Sequence, residues 1–356
     1  MTTSTPRRAT VIGTGLIGGS IGAALRARGW HVSGSDADPA AARRALELGV
    51  IDEVGVDPES EITFVATPVS LVAAVAREAL AATGGVVTDV GSVKESVADA
   101  VRDPRFVGGH PMAGSEQLGV EGARDDLFEG AVWTLTPVAH TSDEAFETVR
   151  SVVGSLGAEV LTLDPAQHDA LVAVVSHVPH LTAASLMRLA TERSEEHRAL
   201  LRLAAGGFRD MTRVAAGSPD IWPDICTSNR TAILATLDHL VGELGRFRAL
   251  VDAGDRAGLL ADLTAAQDAR RNLPSRVAAP DDVTEVRIPV RNEPGQVAAV
   301  AVLATDLGVN LRSLQTVDAT EGRGGVLHVV LESSEAEVLH RALVERGYRP
   351  SLERLE

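Results

Sequence analysis

Over the first 165 positions, short runs of apolar residues alternate with segments in which apolar residues recur at helical spacing. The runs typical of strands lie at 9–13, 31–36, 62–66, 86–90, 131–136 and 159–163. The segments typical of helices lie at 17–28, 40–48, 69–82 and 143–156. Such alternation is typical of α/β proteins, because each helix carries the chain back across the sheet to begin a parallel strand. The pattern predicts a parallel sheet covered by helices on both faces, in a domain spanning 1–165.

The apolar pattern changes after residue 165, and strand signals almost disappear up to residue 271. Helical spacing connects Leu171, Val174 and Val178, and it continues along 233–250. We therefore predict a second, all-helical domain over 166–273. The segment 233–250 is apolar over a broad face. This face favours either a helix-to-helix contact in a homodimer or burial inside one chain.

A proline-bearing, polar stretch at 274–282 is typical of a linker, and a third domain is predicted over 283–356. Its strand-type runs lie at 285–290, 311–317 and 325–332, and its helical segments lie at 296–307 and 336–347. This β-α-β-β-α order favours a small ferredoxin-like α+β module.

The composition narrows the classes of partner. Apolar residues make up 45% of the 356 residues, which excludes general disorder. The formal net charge of −16 disfavours nucleic acid and anionic membranes, although a local arginine still allows an anionic small substrate. Cys226, the one cysteine, cannot form a disulfide within the chain, which favours a reducing, cytoplasmic compartment. We expect neither a signal peptide nor a membrane-spanning helix.

Three glycines between the first strand and the first helix form the pattern G-x-G-x-x-G. Gly13 permits a tight turn, Gly15 lets the backbone approach a pyrophosphate, and Gly18 lets the helix pack on the strand. Leu16 and Ile17 begin the helix, whose free N–H groups and partial positive charge attract phosphates. The context of the pattern predicts a Rossmann-type dinucleotide site.

Asp36 ends the second strand, where a carboxylate can accept hydrogen bonds from the adenosine ribose and repel a 2′-phosphate. This position favours NAD over NADP. An alternative role for Asp36 is to cap the next helix, but Asp38 fits that role better. Arg43 and Arg44 keep an NADP interpretation open.

His110 lies in the Gly/Pro-rich stretch 108–116, which follows a predicted strand and is interpreted as a loop. Histidine is the side chain best suited to exchange a proton near neutral pH, so His110 is the candidate acid–base group. The stretch 89–94 follows another strand and is expected at the sheet edge where such folds bind ligands. It ends at Lys94, the only lysine of the chain, which indicates either a special role or chance.

The helical domain carries two further motifs. The segment 176–180 places histidines on both sides of Pro179, which we expect to kink the helix and turn polar groups toward a cleft. Arg213 offers a guanidinium for a carboxylate, with surface pairing to Asp210 as an equal alternative. No ligand set at metal-binding intervals accompanies the histidines, so no metal is expected.

Taken together, the motifs resemble those of the prephenate dehydrogenase family, the prephenate and arogenate dehydrogenases of tyrosine biosynthesis. The matching stretches are 13–20, 89–94, 109–116, 176–180 and 208–213. Met211 stands where the family commonly has an aromatic residue. The third module, with its stretch 292–295, resembles an ACT domain, a regulatory fold that often binds an amino acid.

The resemblance implies a role for each motif residue. His110 would accept the proton of the ring hydroxyl while hydride leaves the same carbon for NAD, and Ser92 would hydrogen-bond both His110 and that hydroxyl. His180 and Arg213 would hold the carboxylate end of the substrate. The cleft would be lined by Ser115, Ser176 and His177. Loss of carbon dioxide would then make the ring aromatic, giving 4-hydroxyphenylpyruvate from prephenate.

Several alternatives remain open at this stage. Arogenate, in place of prephenate, would give tyrosine directly. A 3-hydroxy acid dehydrogenase would normally need a lysine in the helical domain, and this domain has none. A non-catalytic sensor of NAD and an amino acid is disfavoured by the intact His110, Ser92 and Arg213. The resemblance also implies tyrosine as an effector at Asn292, Gly295 and Asn310, with a purely dimerising module as the alternative.

Overall fold

The computed structural model describes residues 6–114, 117, 119–196, 202–272, 283–290, 293, 295–318 and 325–354. Two compact units make up the chain, Met1–Asp268 and Ala269–Glu356. The first unit contains both the sheet domain and the helices that follow it. The second unit is the C-terminal module.

A twisted sheet forms the centre of the first unit. Its strands in chain order are β1 Arg8–Ile12, β2 His31–Ser35, β3 Glu53–Val54, β4 Ile62–Val65, β5 Val86–Asp89, β6 Phe106–Pro111, β7 Val132–Thr136 and β8 Glu159–Thr162. Across the sheet the order is β3-β2-β1-β4-β5-β6-β7-β8. The helices of this domain are α1 Leu16–Ala27, α2 Pro39–Glu47, α3 Val69–Ala82, α4 Glu95–Ala100 and α5 Asp143–Ser155.

Helices cover both faces of this sheet, so the central strands are buried throughout. β4 and β5 have no exposed residue, as their near-continuous apolar sequences predict. Trp133 on β7 packs against Phe64 on β4 and Phe128, with ring centroids 6.2 and 5.0 Å away. The order of the strands reverses between β1 and β4, which are neighbours in the sheet. The carboxyl ends of these two strands therefore lie beside each other, where ligands bind in such folds.

One strand pair departs from the predicted parallel sheet. β7 runs antiparallel to β6, pairing His110 with Thr134 and Pro111 with Trp133. The described part of the connection from β6 to β7 contains only the 3₁₀ turn Val120–Gly122, and a parallel pair needs a longer crossover, usually a helix. This pairing also corrects the position of His110, which lies in β6 and not in the loop after it.

Helices follow β8 up to residue 271. They are α6 Pro165–Val172, α7 Val178–Glu196, α8 Gly206–Thr212, α9 Trp222–Ser228, α10 Arg230–Asp252 and α11 Arg256–Arg271. A π-helical turn, Ala173–His177, joins α6 to α7 without a break. Pro179 lies in α7, just after this widened turn, and the kink expected at Pro179 stays a prediction. π-turns of this kind are frequent at functional sites.

The segment Pro165–Glu192 is the one helix of the described residues that is long and apolar enough to cross a membrane. This property is weak as an indication, because core helices of globular proteins share it. Within this segment, the side chain of Asp169 accepts hydrogen bonds from the backbone N–H groups of Lys94 and Glu95. These contacts attach the helix to the sheet domain.

The second unit is a βαββαβ module. Its elements are β9 Val283–Val290, α12 Gln296–Asp306, β10 Leu311–Asp318, β11 Gly325–Glu332, α13 Ser333–Glu345 and β12 Ser351–Arg354. The strand order β10-β11-β9-β12, antiparallel throughout, is the predicted ferredoxin-like arrangement. The sequence interpretation missed β12, a short polar edge strand.

Two of the three residues predicted to bind an effector can be placed in this module. Gly295 precedes α12 with φ of +92°, a left-handed conformation that favours glycine. Asn310 is exposed, directly before β10, and its N–H donates to Glu335. Asn292 lies outside the described residues. Effector binding at these positions stays a prediction.

Candidate active site

The glycine turn between β1 and α1 has the shape that a dinucleotide requires. Gly13 has φ of +97°, and a Cβ there would lie 2.3 Å from the carbonyl oxygen of Ala66. A Cβ on Gly18 would lie 1.9 Å from the carbonyl oxygen of Gly13, so the helix and the turn pack too closely for a side chain. Around Gly15 no described atom lies within 4 Å of the Cβ position, which leaves room for a pyrophosphate. The helix N-terminus at Leu16 carries no side-chain cap.

Asp36 follows β2 and is half-buried beside this turn. One carboxylate oxygen accepts hydrogen bonds from the backbone N–H and hydroxyl of Thr14, at 2.7 and 3.1 Å, and the other accepts from the N–H of Asp38. Each oxygen has two lone pairs, so a ribose hydroxyl can still be bound. Asp38 caps α2 through the N–H of Ala40, as predicted. Arg44 is engaged by Glu47 and Glu121, which weakens the NADP alternative.

His110 begins a chain of hydrogen bonds between the sheet and the helices. Its Nδ1 lies 2.9 Å from Nε2 of His168, and Nδ1 of His168 lies 2.8 Å from Oδ1 of Asp169. Both His168 and Asp169 are buried, whereas His110 is half-buried. The sequence interpretation missed His168 and Asp169, which lie in an ordinary-looking first turn of α6.

Asp169 joins three elements at one point. Its two oxygens accept hydrogen bonds from the N–H groups of Lys94 and Glu95, at 2.8 and 2.9 Å, where α4 begins. Its own carbonyl oxygen accepts a hydrogen bond from the side-chain amide of Asn229, before α10, at 2.8 Å. The same amide nitrogen lies 3.1 Å from Nδ1 of His177 and donates to it. The sequence interpretation missed Asn229 as well.

Lys94 forms a buried ion pair with Asp89 at the end of β5. Its ammonium group also donates to the carbonyl oxygen of Gly109, at 2.6 Å, and Asp89 accepts from the N–H groups of Gly91 and Gly109. Lys94 therefore fixes the strand end that precedes His110. Burial lowers the pKa of Lys94, and the charge of Asp89 opposes that change. The special role that the sequence indicated for Lys94 is thus a buried ion pair with Asp89.

The surroundings of His110 keep its imidazole neutral. Burial lowers its pKa well below the usual range, and the neighbouring Lys94, His168 and His177 act in the same direction. A neutral imidazole is able to accept a proton.

His177 and His180 occupy different environments. Burial lowers the pKa of His177 to about 4. Because Asn229 donates to Nδ1, the hydrogen of neutral His177 lies on Nε2, which is buried without a hydrogen-bond partner among the described residues. His180 is half-buried, and its ring stacks on Trp222.

Comparison with known proteins identifies the family. The family model described as "Prephenate dehydrogenase, nucleotide-binding domain" matches residues 21–162, and the model described as "Prephenate dehydrogenase, dimerization domain" matches residues 164–265. A prephenate dehydrogenase from Bacillus subtilis is 34% identical over 340 residues, which cover 91% of each chain. The chain belongs to the prephenate dehydrogenase family.

Other members of the prephenate dehydrogenase family agree with this assignment. A cyclohexadienyl dehydrogenase from Zymomonas mobilis is 34% identical over 73% of this chain and 94% of its own length. The solved prephenate dehydrogenase from A. aeolicus, in complex with hydroxyphenyl propionate and NAD+, has a TM-score of 0.71 and 29% identity, covering 76% of this chain and all of its own. An arogenate dehydrogenase from Synechocystis has a TM-score of 0.64 and 31% identity, covering 74% of this chain and 98% of its own. The predicted family, the dehydrogenase class and the nucleotide-binding domain are confirmed.

The remaining motif residues of this prephenate dehydrogenase family member lie on several elements. Ser176 and His177 lie in the π-turn, and Arg213 is exposed in the 3₁₀ turn Arg213–Ala216, which packs against α7. Ser92 is half-buried, but no hydrogen bond joins it to His110 among the described residues, where Nδ1 of His110 meets His168 instead. Ser115 lies outside the described residues. No three His, Cys, Asp or Glu side chains of the described residues are grouped to hold a metal ion.

Proposed function

We propose that this chain is an NAD-dependent prephenate dehydrogenase that converts prephenate to 4-hydroxyphenylpyruvate. The observation that carries the proposal is the chain of hydrogen bonds from His110, at the end of β6, through His168 to Asp169. The open Gly15 turn and Asp36 supply the fit to NAD. The similarity to the Bacillus subtilis enzyme over 91% of both chains supports prephenate as the substrate.

In the proposed reaction, the unprotonated imidazole of His110 accepts the proton of the ring hydroxyl. NAD, when bound, supplies the hydride acceptor for the carbon that bears this hydroxyl. As the ring carboxylate leaves as carbon dioxide, its bonding electron pair moves into the ring and makes it aromatic. His110 then returns its proton to the phenolate oxygen. Because aromatisation drives the reaction, the protein needs only to orient the substrate and hold one proton.

The other residues are proposed to bind and orient the substrate. Arg213 and His180 hold the carboxylate of the side chain, and Ser92 donates to the ring hydroxyl. The unsatisfied Nε2–H of His177 is a buried donor for a substrate oxygen, which would satisfy it. Ser115 and Ser176 complete the lining of the cleft.

The direct test is NADH production by the purified protein with prephenate and with arogenate. Faster turnover of prephenate supports the proposal. A strong preference for arogenate, the substrate named for the Synechocystis relative, would make this chain an arogenate dehydrogenase. No NADH from either substrate would support the sensor alternative and contradict an enzymatic role.

Two variants test the proposed roles. His110→Asn is expected to lower kcat by roughly 10²–10⁴-fold with NAD affinity nearly unchanged, because only proton transfer is lost. His140→Asn, an exposed histidine elsewhere in the sheet domain, is the matched control. Arg213→Ala is expected to weaken substrate binding by about 2–4 kcal/mol, seen as a higher KM. Arg209→Ala, in the adjacent helix α8, is its control, and equal KM values would contradict the role.

We further infer that the enzyme is a homodimer assembled through its helical domain. α7 and α10 border an apolar groove of about 600 Å³ whose lining includes Val178, Leu186, Met211 and Leu240. On α10 the apolar side chains of Val241 and Leu244 are exposed, which a second copy would cover. Leu244→Glu is expected to give a monomer in light-scattering measurements. Leu46→Glu, at an exposed apolar position of α2, is expected to leave the dimer intact.

The C-terminal module is proposed to bind tyrosine and inhibit the enzyme. The support is its ferredoxin-like arrangement and the left-handed Gly295 at the start of α12, a helix N-terminus that can receive a carboxylate. The test compares the full chain with a chain truncated after Arg276. Inhibition of the full chain alone supports the proposal, whereas a full chain that ignores tyrosine favours a purely dimerising module.

A further inference from the structure

The hydrogen bonds around His168 determine which of its nitrogens carries the hydrogen. Both oxygens of Asp169 already accept backbone N–H groups, from Lys94 and Glu95, so this carboxylate acts as an acceptor. Nδ1 of His168 lies 2.8 Å from the same carboxylate and therefore donates its hydrogen to it. In neutral His168 the other nitrogen, Nε2, then carries a lone pair.

The same reasoning extends to His110. Its Nδ1 lies 2.9 Å from Nε2 of His168, and one of these two nitrogens has to donate. With His168 neutral, its Nε2 carries a lone pair, so Nδ1 of His110 carries the hydrogen. Nε2 of neutral His110 is therefore unprotonated, and it is the nitrogen that this chain of hydrogen bonds leaves free.

We propose that His168 and Asp169 are positioning residues that fix the tautomer of His110, so that Nε2 of His110 receives the proton of the substrate. This inference rests on the proposed function and adds two residues that act through His110. In serine proteases a buried aspartate fixes the tautomer of the catalytic histidine by direct contact, whereas here Asp169 acts through His168.

Two other titratable side chains near His110, Lys94 and His177, do not fix its tautomer. Lys94 belongs to the loop after β5 and is paired with Asp89, and His177 in the π-turn is bonded to Asn229. Once His110 has accepted a proton, its Nδ1–H still donates to His168, and Asp169 supplies a negative charge at the end of the chain. The hydrogen bonds of this chain are therefore kept when His110 is protonated.

Activity measurements can separate positioning from a structural role. His168→Met removes the acceptor at similar volume, whereas the amide of His168→Gln can still accept the hydrogen of His110. We expect kcat to fall about 100-fold in His168→Met and about 10-fold or less in His168→Gln. KM and the Kd for NAD should stay within about twofold in both, and His140→Gln is the control. Equal losses of kcat in the two variants, or a loss seen only in KM, would contradict the proposal.

A spectroscopic measurement is independent of turnover. In ¹⁵N spectra of histidine-labelled protein, with His110 assigned by comparison with His110→Asn, we expect the hydrogen on Nδ1 at neutral pH. In His168→Met, which removes the acceptor of the Nδ1 hydrogen, we expect the preference of His110 for the Nδ1 tautomer to be lost. A hydrogen on Nε2 in the unmodified protein overturns the inference. If the tautomer is as expected but neither substrate is oxidised, the proposed function fails while the positioning of His110 stands.

Discussion

The imidazole of His180 lies parallel to the indole of Trp222, with ring centroids 3.6 Å apart and an interplanar angle of 13°. His180 belongs to α7, and Trp222 begins α9. The same indole meets the ring of His177 edge-on, at 6.2 Å. Two histidines of the motif 176–180 are thus oriented by one aromatic side chain from another helix.

Loss of this stacking is expected to disturb substrate binding more than chemistry. In Trp222→Leu the ring of His180 loses its support, so we expect KM to rise about tenfold while kcat changes less, because aromatic contacts contribute about 0.5–1.5 kcal/mol. Trp222→Phe keeps a flat ring and should recover most of the loss. Steady-state kinetics with prephenate measure both variants, and an unchanged KM in Trp222→Leu would contradict this role.

Removal of Lys94 is expected to destabilise the fold. Lys94→Met leaves the buried carboxylate of Asp89 without its counter-charge, which should lower the free energy of unfolding by about 3–5 kcal/mol. The double variant Asp89→Leu, Lys94→Met should recover part of this loss. Arg7→Met, which breaks an exposed ion pair with Glu61, is the control and should cost less than about 1 kcal/mol. Urea denaturation measures all three, and equal effects at Lys94 and Arg7 would argue against the ion pair.

Asp36 is expected to determine the choice of dinucleotide. Asp36→Ser removes the negative charge that repels a 2′-phosphate, so the ratio of kcat/KM for NAD to that for NADP should fall about tenfold or more. NAD affinity should also weaken, because Asp36 holds the N–H of Thr14 in the glycine turn. Asp38→Ser keeps a capping side chain on α2 and is the control. Equal use of NAD and NADP by the unmodified enzyme would refute the assignment.

His177 is expected to make stability depend on pH. In the unfolded chain its pKa is near 6.5, whereas burial lowers the pKa in the folded chain to about 4. Between these values the unfolded chain binds a proton that the folded chain does not, so stability falls as pH decreases from 6.5 to about 4. His177→Gln should remove on the order of 2 kcal/mol of this decrease. Denaturation at pH 7 and pH 4.5 measures the difference, and an identical pH dependence in both proteins would contradict it.

Local signals explain what the sequence could predict. The glycine turn at Gly13–Gly18 and the alternation of strands and helices are determined by residues close together in the chain. The strands and helices of the structure therefore lie near the predicted ones. The C-terminal order of strands and helices likewise gave the ferredoxin-like module. β7 was assigned the wrong direction because no local feature of the strand encodes which way it pairs.

The missed site residues depend on contacts between distant parts of the chain. His168 meets His110 across 58 positions, and Asp169 meets Lys94 across 75. In the sequence, Asp164 and Pro165 indicate only the start of a helix. They give no sign that His168 and Asp169, a few residues later, belong to a site. Asn229 similarly resembles an ordinary residue between two helices. Of this network the sequence indicated only the two ends that carry a motif, His110 in its Gly/Pro-rich stretch and Lys94 as the single lysine.

A π-turn contains one residue more than the α-helical turn that it replaces. Each residue of a helix rotates the chain by about 100°, so the extra residue in Ala173–His177 sets the angular phase of α7 against α6. Deleting one residue there would restore a regular helix but swing His180 around the helix axis, away from Trp222, while Asp169 stayed in place. The segment is therefore expected to tolerate a change of residue type better than a change of length, because its residue count sets the angle between Asp169 on α6 and His180 on α7.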